Sequence, residues 1–306
     1  MENIIYLSKA LVTSFKPHLG NVSLVCVESR YPALARFAID RCLMQATFKE
    51  CLLLTPLIHE LPDYIRQVVI PPIGSIEAYS DFMVRGLGDY FSGSHVLVIQ
   101  WDSFIVRGDL WDPRFLDYDY IGAPWPHRPV GVGNGGFSLR SRKLVDALRH
   151  IAMPATHPED YVICEAHGEE LSSRYGIRFA PLEVARQFAY EGIVPAAPTF
   201  GFHGIFNFHR VLDEATVSAH IIQCDNSILH GHAARRFAKQ LYLSGYYRLF
   251  RQVLKRRLSG GVAMVMDVIS LGARGTLHAW RNRHQPAKPI AHQQTQSQDS
   301  RRLSNQ

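Results

Sequence analysis

Three short apolar runs constrain this chain most: Ser23 to Glu28 (SLVCVE), Lys49 to Thr55 (KECLLLT) and His95 to Gln100 (HVLVIQ). None alternates polar with apolar residues through its length, so each reads as a strand covered on both faces. After the first, Tyr31-Pro32 opens a segment with Leu34, Phe37, Ala38 and Cys42 at helical spacing. Gln67 to Ile70 reads as a further short strand and Ile76 to Leu87 as a helix. Strands alternating with helices predict an α/β fold, a mainly parallel sheet with helices on both faces. With 306 residues, 47% of them hydrophobic, the chain can bury such a core without disulfide staples. Its five cysteines are widely spaced, with no CxxC pair, and read as structural thiols of a reducing compartment.

Beyond residue 100 the order is less regular. Residues 108–136 are rich in Gly, Pro, Asp, Trp and Tyr, a length that in a compact domain means a functional loop. Gly136 to Arg140 then reads as a strand, Ser141 to His150 as a helix, Pro158 to Tyr175 as one continuous helix, and Ile177 to Ala180 as a last short strand. Residues 1–210 hold 19 Lys and Arg against 22 Asp and Glu, whereas residues 211–306 hold 14 against 5. The overall charge of +6 therefore belongs to the C-terminal third. The expected division is an N-terminal segment (1–21), a main α/β domain (22–210), a basic helical extension (211–283) and a disordered tail (284–306).

In the extension, Tyr246 to Leu258 puts Tyr246, Leu249, Phe250 and Val253 on one face and Arg248, Arg251 and Lys255 opposite, a basic amphipathic helix suited to an anionic membrane surface. Nucleic acid is not an expected partner, because the first two thirds of the chain would repel phosphate backbones. The N-terminus lacks the pattern of a secretory signal, and no run approaches the ~20 apolar residues that span a bilayer. The expected location is the cytoplasm, with peripheral membrane contact through the basic helices.

Ligands of such sheets sit at the carboxyl ends of the strands. Candidate chemistry accordingly starts with Glu28 and Arg30, after the first strand, and with Gln100-Trp101-Asp102-Ser103, after His95 to Gln100. A carboxylate fixed there by the sheet can meet a divalent cation and a diphosphate with little ordering cost, which points to Asp102. Asn134-Gly135-Gly136-Phe137 closes a glycine-dense loop that leaves backbone amides open to a ligand, with Asn134 able to bond sugar hydroxyls in both directions. Glu159 and Asp160 sit in a first helical turn, where one carboxylate suffices as a general base. Phe202-His203-Gly204 offers an imidazole for a metal or a phosphate.

Taken in order, Val27-Glu28-Ser29-Arg30, Asp102, Asn134 to Ser138, Glu159-Asp160 and Phe202-His203-Gly204 resemble the GT-A-like glycosyltransferase family catalogued as domain of unknown function 5672, over roughly residues 22–210. The resemblance implies a GT-A-like (Rossmann-like) fold and transfer of a sugar from a nucleotide-diphosphate donor to the hydroxyl of a glycan or lipid-linked acceptor, with inversion. It implies Asp102 as a ligand of a divalent cation (Mn²⁺ or Mg²⁺), His203 as a further ligand of that metal or of the diphosphate, and Glu159 or Asp160 as the base. Glu28, Arg30, Gln100, Asn134, Gly135, Gly136 and Phe137 would bind substrate. Gln100 stands where the metal motif of such enzymes has its first acid, so with one carboxylate fewer the cation is expected to be weaker or absent, with Arg30 sharing the phosphate charge instead. The competing reading keeps the fold but makes the protein a non-catalytic binder of glycans or nucleotide sugars, with a basic C-terminus for a membrane surface or nucleic acid.

Overall fold

A computed structural model describes residues 16–125 and 131–284. The first fifteen residues, and the expected disordered tail from residue 285 onward, lie outside the described residues. The chain divides into two compact units, one running through Asp225 and the other from Asn226.

In the first unit, β1 (His18–Val27) leads through Pro32, whose fixed φ suits a first helical turn, into α1 (Pro32–Gln45). Next come β2 (Thr47–Thr55), β3 (Arg66–Val69), α2 (Ile76–Asp81), β4 (His95–Ile99), β5 (Ser103–Ile105), β6 (Tyr120–Ile121) and β7 (Phe137–Ser141). After them follow α3 (Arg142–Leu148), α4 (Glu159–Tyr161), α5 (Gly168–Tyr175), α6 (Leu182–Phe188), β8 (Ala189–Tyr190), β9 (Gly201–His203) and α7 (Glu214–Gln223).

Six strands form one sheet in the order β3-β2-β1-β4-β7-β6. The first four are parallel, as the apolar runs predict, but β7 runs antiparallel to β4 and to β6, so the sheet is mixed. The reversal has a local cause. Among the described residues no helix stands between β6 and β7; β6 ends and β7 begins at the carboxyl rim, as an antiparallel neighbour requires. A loop at that rim is therefore delivered beside the end of β4.

Both faces of the sheet are covered. Val25, Val27, Leu52, Leu54, Val96 and Val98 point to one side, against Met83 and Leu87 beyond α2 and Val145 of α3. On the opposite side Cys26 and Cys51 lie close to the buried Cys42 of α1, and burial raises the Cys26 thiol well above its ordinary range, where it is inert. Burying the side chains of these strands stabilises the unit by roughly 1.5–3 kcal/mol for each large apolar residue.

Several sequence expectations need correction. The helix expected over Ile76–Leu87 is α-helical only to Asp81 and then widens into a π turn, Phe82–Gly86. The single helix expected over Pro158–Tyr175 is broken: after α4 a π turn spans Val162–Ala166, His167 N bonds Val162 O at 3.0 Å, and a fresh helix starts at Gly168. Ile177 to Ala180 forms no strand of its own; it runs beside β6, with Asp119 N bonded to Arg178 O at 2.7 Å and Ala180 N to Tyr120 O at 2.9 Å. A second, three-stranded sheet, β5-β9-β8, was not foreseen.

The boundary between the units falls after Asp225 and not after residue 210. α7 belongs to the first unit because His220 packs edge-on against Phe37 and Phe208, at 4.6 and 5.0 Å between ring centroids. The second unit contains α8 (His232–Leu243), α9 (Tyr247–Arg257) and α10 (Val262–His284). Leu249, Phe250 and Val253, the apolar face of the expected basic helix, are buried within this unit and are closed to a membrane.

A buried imidazole gives the first unit an acid-sensitive point. Burial, reinforced by the neighbouring Arg210 charge, pushes His209 down to about 4. The unfolded chain binds this proton near pH 6.5, so the contribution is complete above that pH and is lost as pH falls towards 4. The loss amounts to about 3 kcal/mol. Urea unfolding at several pH values is expected to show His209→Gln losing less stability on acidification than the parent; equal slopes would contradict this.

Candidate active site

The end of β4 is pinned first. Gln100 N and Ser103 Oγ both donate to Gly136 O, at 3.1 and 2.7 Å, which fastens the glycine loop to the strand end. Asp102 is held by two backbone donors from beyond β9: Gly204 N to its carbonyl at 3.0 Å and Ile205 N to Oδ2 at 3.1 Å. Its other carboxylate oxygen, Oδ1, is buried without a hydrogen-bond partner and lies 3.5 Å from His203 Nε2. β9 supplies that histidine because its antiparallel register places His203 opposite Ser103.

His203 is the hub of the site. Gln100 Oε1 lies 3.1 Å from Nε2, and Gln100 Nε2 in turn donates to Tyr79 OH at 3.0 Å. On the other side of the ring, Nδ1 stands 3.2 Å from Glu191 Oε1. Burial alone would lower this imidazole, but Asp102 and Glu191, one at each nitrogen, outweigh it and raise His203 well above its ordinary value. Both carboxylates favour the protonated ring.

Glu191 joins this cluster to the glycine loop. Asn134 Nδ2 donates to Glu191 Oε2, and Asn207 Nδ2 donates to the Glu191 and His203 carbonyls at 2.9 and 2.8 Å, fixing both residues to one bracket. Asn134 has φ 64°, a left-handed conformation that Asn tolerates better than other side chains. Its backbone N donates to Asp160 Oδ2 at 3.0 Å, so the strained turn is braced by the first turn of α4.

Glu159, also in that turn, is buried and pairs with Arg140 of β7, Oε1 to guanidinium nitrogen 3.3 Å. Gly135 and Gly136 permit the approach. A Cβ on Gly135 would stand 1.8 Å from Glu159 Oε1, and one on Gly136 would stand 2.2 Å from His203 Nε2. The loop's glycines thus serve packing between two charged groups as well as openness to a ligand.

Of the residues expected from sequence, Gln100, Asp102, Asn134, Gly135, Gly136, Glu159, Asp160 and His203 come together in one connected cluster. Phe137 lies just below it, packed on Phe188 and Phe200 in the core. Glu28 is near enough for the Asp102 charge to raise it, after burial, the larger cause. Its Oε1 nevertheless accepts from Arg30 N at 2.5 Å and Tyr31 N at 3.0 Å, which makes it a brace of its own turn. The Arg30 guanidinium is exposed and paired with Asp225. Three members of the cluster escaped sequence reading: Tyr79, Arg140 and Glu191. Arg140 left a usable signal, the lone charge of the short strand Phe137–Ser141; Glu191, in a Gly- and Pro-rich stretch, left none.

Among the described residues, no three His, Cys, Asp and Glu side chains are grouped to hold a metal ion. Asp102 and Glu191 lie on opposite nitrogens of His203 and cannot close on one cation. What fits is a hard cation held by few protein oxygens and completed by phosphate and water, with the unpartnered Asp102 Oδ1 as its carboxylate and Gln100 Oε1 beside it. With a carboxylate at each nitrogen favouring its protonated form, His203 suits an anionic oxygen better than a metal. A cavity of about 640 Å³ lies away from this rim, by the start of β2, between Asp40, Met44, Phe48, Lys49 and Tyr64.

Residues 65–203, which run from before Tyr79 to His203 and leave out Asn207, match the model of a family described as a protein of unknown function (DUF5672). No curated protein matches the chain. Among solved structures, a galactosyltransferase, LgtC, crystallised with donor and acceptor sugar analogues, is 14% identical, with a TM-score of 0.37 over 59% of this chain and 86% of that one. The apo-form glycosyltransferase GlyE of Streptococcus pneumoniae TIGR4 is 11% identical, with a TM-score of 0.35 over 60% of this chain; the chain spans 54% of its length.

Proposed function

We propose that this protein is a glycosyltransferase that moves a sugar from a nucleotide-diphosphate donor to an acceptor hydroxyl at the rim formed by Asp102, His203, Glu191 and the Asn134 loop. The observation that carries the reading is the convergence of separate segments on His203: the β4 end, the end of β9, the glycine loop and Glu191 meet within hydrogen-bond or ion-pair distance.

Donor phosphates would lie against His203, whose positive charge is sustained by its two carboxylate neighbours, and the sugar would lie against the Asn134 loop. Where Mg²⁺ or Mn²⁺ takes part, Asp102 Oδ1 would hold it, the remaining positions falling to donor phosphate and water, and bound there it would neutralise charge on the leaving diphosphate. The carboxylates around the rim repel a bare diphosphate, which gives both cations a purpose. Glu159 is committed to Arg140, and Asp160 to the loop it braces. Glu191 also meets His203 and Asn134, but its side chain is 44% exposed, so it is the rim carboxylate that an acceptor hydroxyl reaches from solution. We assign it the base role in place of Glu159 and Asp160. The acceptor oxygen bonds to the anomeric carbon, the bond from that carbon to the diphosphate oxygen breaks, the diphosphate leaves with the electron pair, and the acceptor proton passes to Glu191. Attack opposite the leaving group inverts the centre.

Calorimetric titration of the full chain with UDP, GDP and their sugar conjugates, with Mn²⁺ present, tests the donor half. Binding of at least one nucleoside diphosphate is expected. No binding across the panel would overturn the reading; binding without turnover on any acceptor would favour the non-catalytic binder.

A further inference from the structure

The second unit has an exposed apolar face on α10. Inward, this helix sets Leu271 and Gly275 against its neighbours, with the Phe250 ring of α9 so close that a Cβ on Gly275 would stand 2.4 Å from it. Outward, Val262, Met266, Ile269, Ala273, Leu277 and Trp280 follow one another at helical intervals that return to a single line at 100° per residue. The large members of that line are 82%, 65%, 60%, 47% and 59% exposed from Val262 to Trp280. The stripe is about 27 Å long at the rise of an α-helix.

Charge decides what could cover it. Residues 226–282 contain ten Lys and Arg and a single acid, Asp267. That acid is engaged by both Arg235 and Arg257. Arg274 and Arg281, both exposed, line one border of the stripe, and Arg236, Lys239, Arg248, Arg251 and Lys255 are exposed on α8 and α9. No helix among the described residues is long and apolar enough to cross a membrane. A straight apolar stripe bordered by arginines, with a tryptophan at one end, has the make-up of an element lying in a lipid interface. A second copy of the same cationic unit would be repelled.

We propose that α10 lies in the plane of an anionic lipid surface, with Val262, Met266, Ile269, Leu277 and Trp280 entering the headgroup boundary and the surrounding arginines and lysines meeting lipid phosphates. The helix that engages lipid is thus α10 and not α9, whose apolar face is consumed by the fold.

Flotation of the full chain with vesicles tests this. The protein is expected to float with vesicles of phosphatidylcholine and phosphatidylglycerol, and at least roughly tenfold less with phosphatidylcholine alone or in high salt. Met266→Glu with Ile269→Glu, at exposed positions, should keep the melting temperature and lose flotation. If that pair melts early, Arg274→Ser with Arg281→Ser serves instead, and the same loss is expected. Absence of wild-type flotation, or undiminished flotation of a folded variant, overturns the proposal. So does light scattering that finds a dimer which Met266→Glu with Ile269→Glu converts to single chains.

Discussion

Replacing Arg140 by methionine is expected to cost the protein roughly 3–5 kcal/mol of stability, the largest loss of any single substitution considered. Arg140 is fully buried, and its guanidinium donates to Ser138 Oγ at 3.0 Å, to Gly135 O at 3.4 Å and to Glu159 Oε1 at 3.3 Å. It also lies over the Tyr120 ring, 5.6 Å from the centroid. Methionine matches much of the volume but leaves the Glu159 carboxylate buried without its counter-charge. The cost is that of an unpaired ion in a medium of low dielectric and exceeds the net worth of the pair. Adding Glu159→Gln should therefore recover most of the loss. Chemical denaturation of the parent, the single variants and the double variant measures this directly. A single-variant loss under about 1 kcal/mol, or a double variant no better than Arg140→Met, would show that the pair does not hold the glycine loop in place.

Asp102→Asn is expected to leave the fold intact and to reduce kcat/KM by roughly a hundred- to a thousandfold. The amide oxygen of asparagine can still accept from Ile205 N, so the bracket beyond β9 survives. What disappears is the negative charge, and with it the carboxylate for a cation and one of the two charges that favour the protonated His203 ring. Both effects weaken the stabilisation of a departing diphosphate. An unchanged melting temperature with this loss places Asp102 at the reacting groups. Loss of folding together with loss of activity would make it a structural acid, and full activity would remove it from the site.

The parallel part of the fold was legible in the sequence because Leu24 to Val27, Leu52 to Leu54 and Val96 to Ile99 are buried on both faces, and only a covered sheet tolerates such runs. The reversed strand was not, because the sequence of β7 says nothing of direction; direction is set by the loop before it. The second sheet was invisible for a different reason. Ser103–Ile105 and Gly201–His203 are three residues each, too short for any period to register, and they exist through pairing across about a hundred residues of chain. Yet this pairing is what sets His203 beside Asp102.

Residue chemistry was read better than residue role. Asp102, Asn134 and His203 were singled out for groups that bind phosphate, sugar or metal, and the fold assembles them. Glu159 was singled out for the same kind of reason, but its carboxylate is spent on Arg140, a partner that only the tertiary structure reveals. Glu191 was passed over because a lone acid after β8 has nothing in its neighbourhood to mark it; Asn134, His203 and Asn207 give it meaning.

The central claim is tested most directly by following phosphorus resonances while the full chain is incubated with UDP- and GDP-sugars, a divalent cation and a panel of glycan and lipid-linked acceptors. Free nucleoside diphosphate is expected to accumulate with one donor, in step with glycosylated acceptor, and Asp102→Asn to slow both by at least roughly a hundredfold. Donors left intact by a folded wild-type protein, or consumed as quickly by the variant, would contradict it.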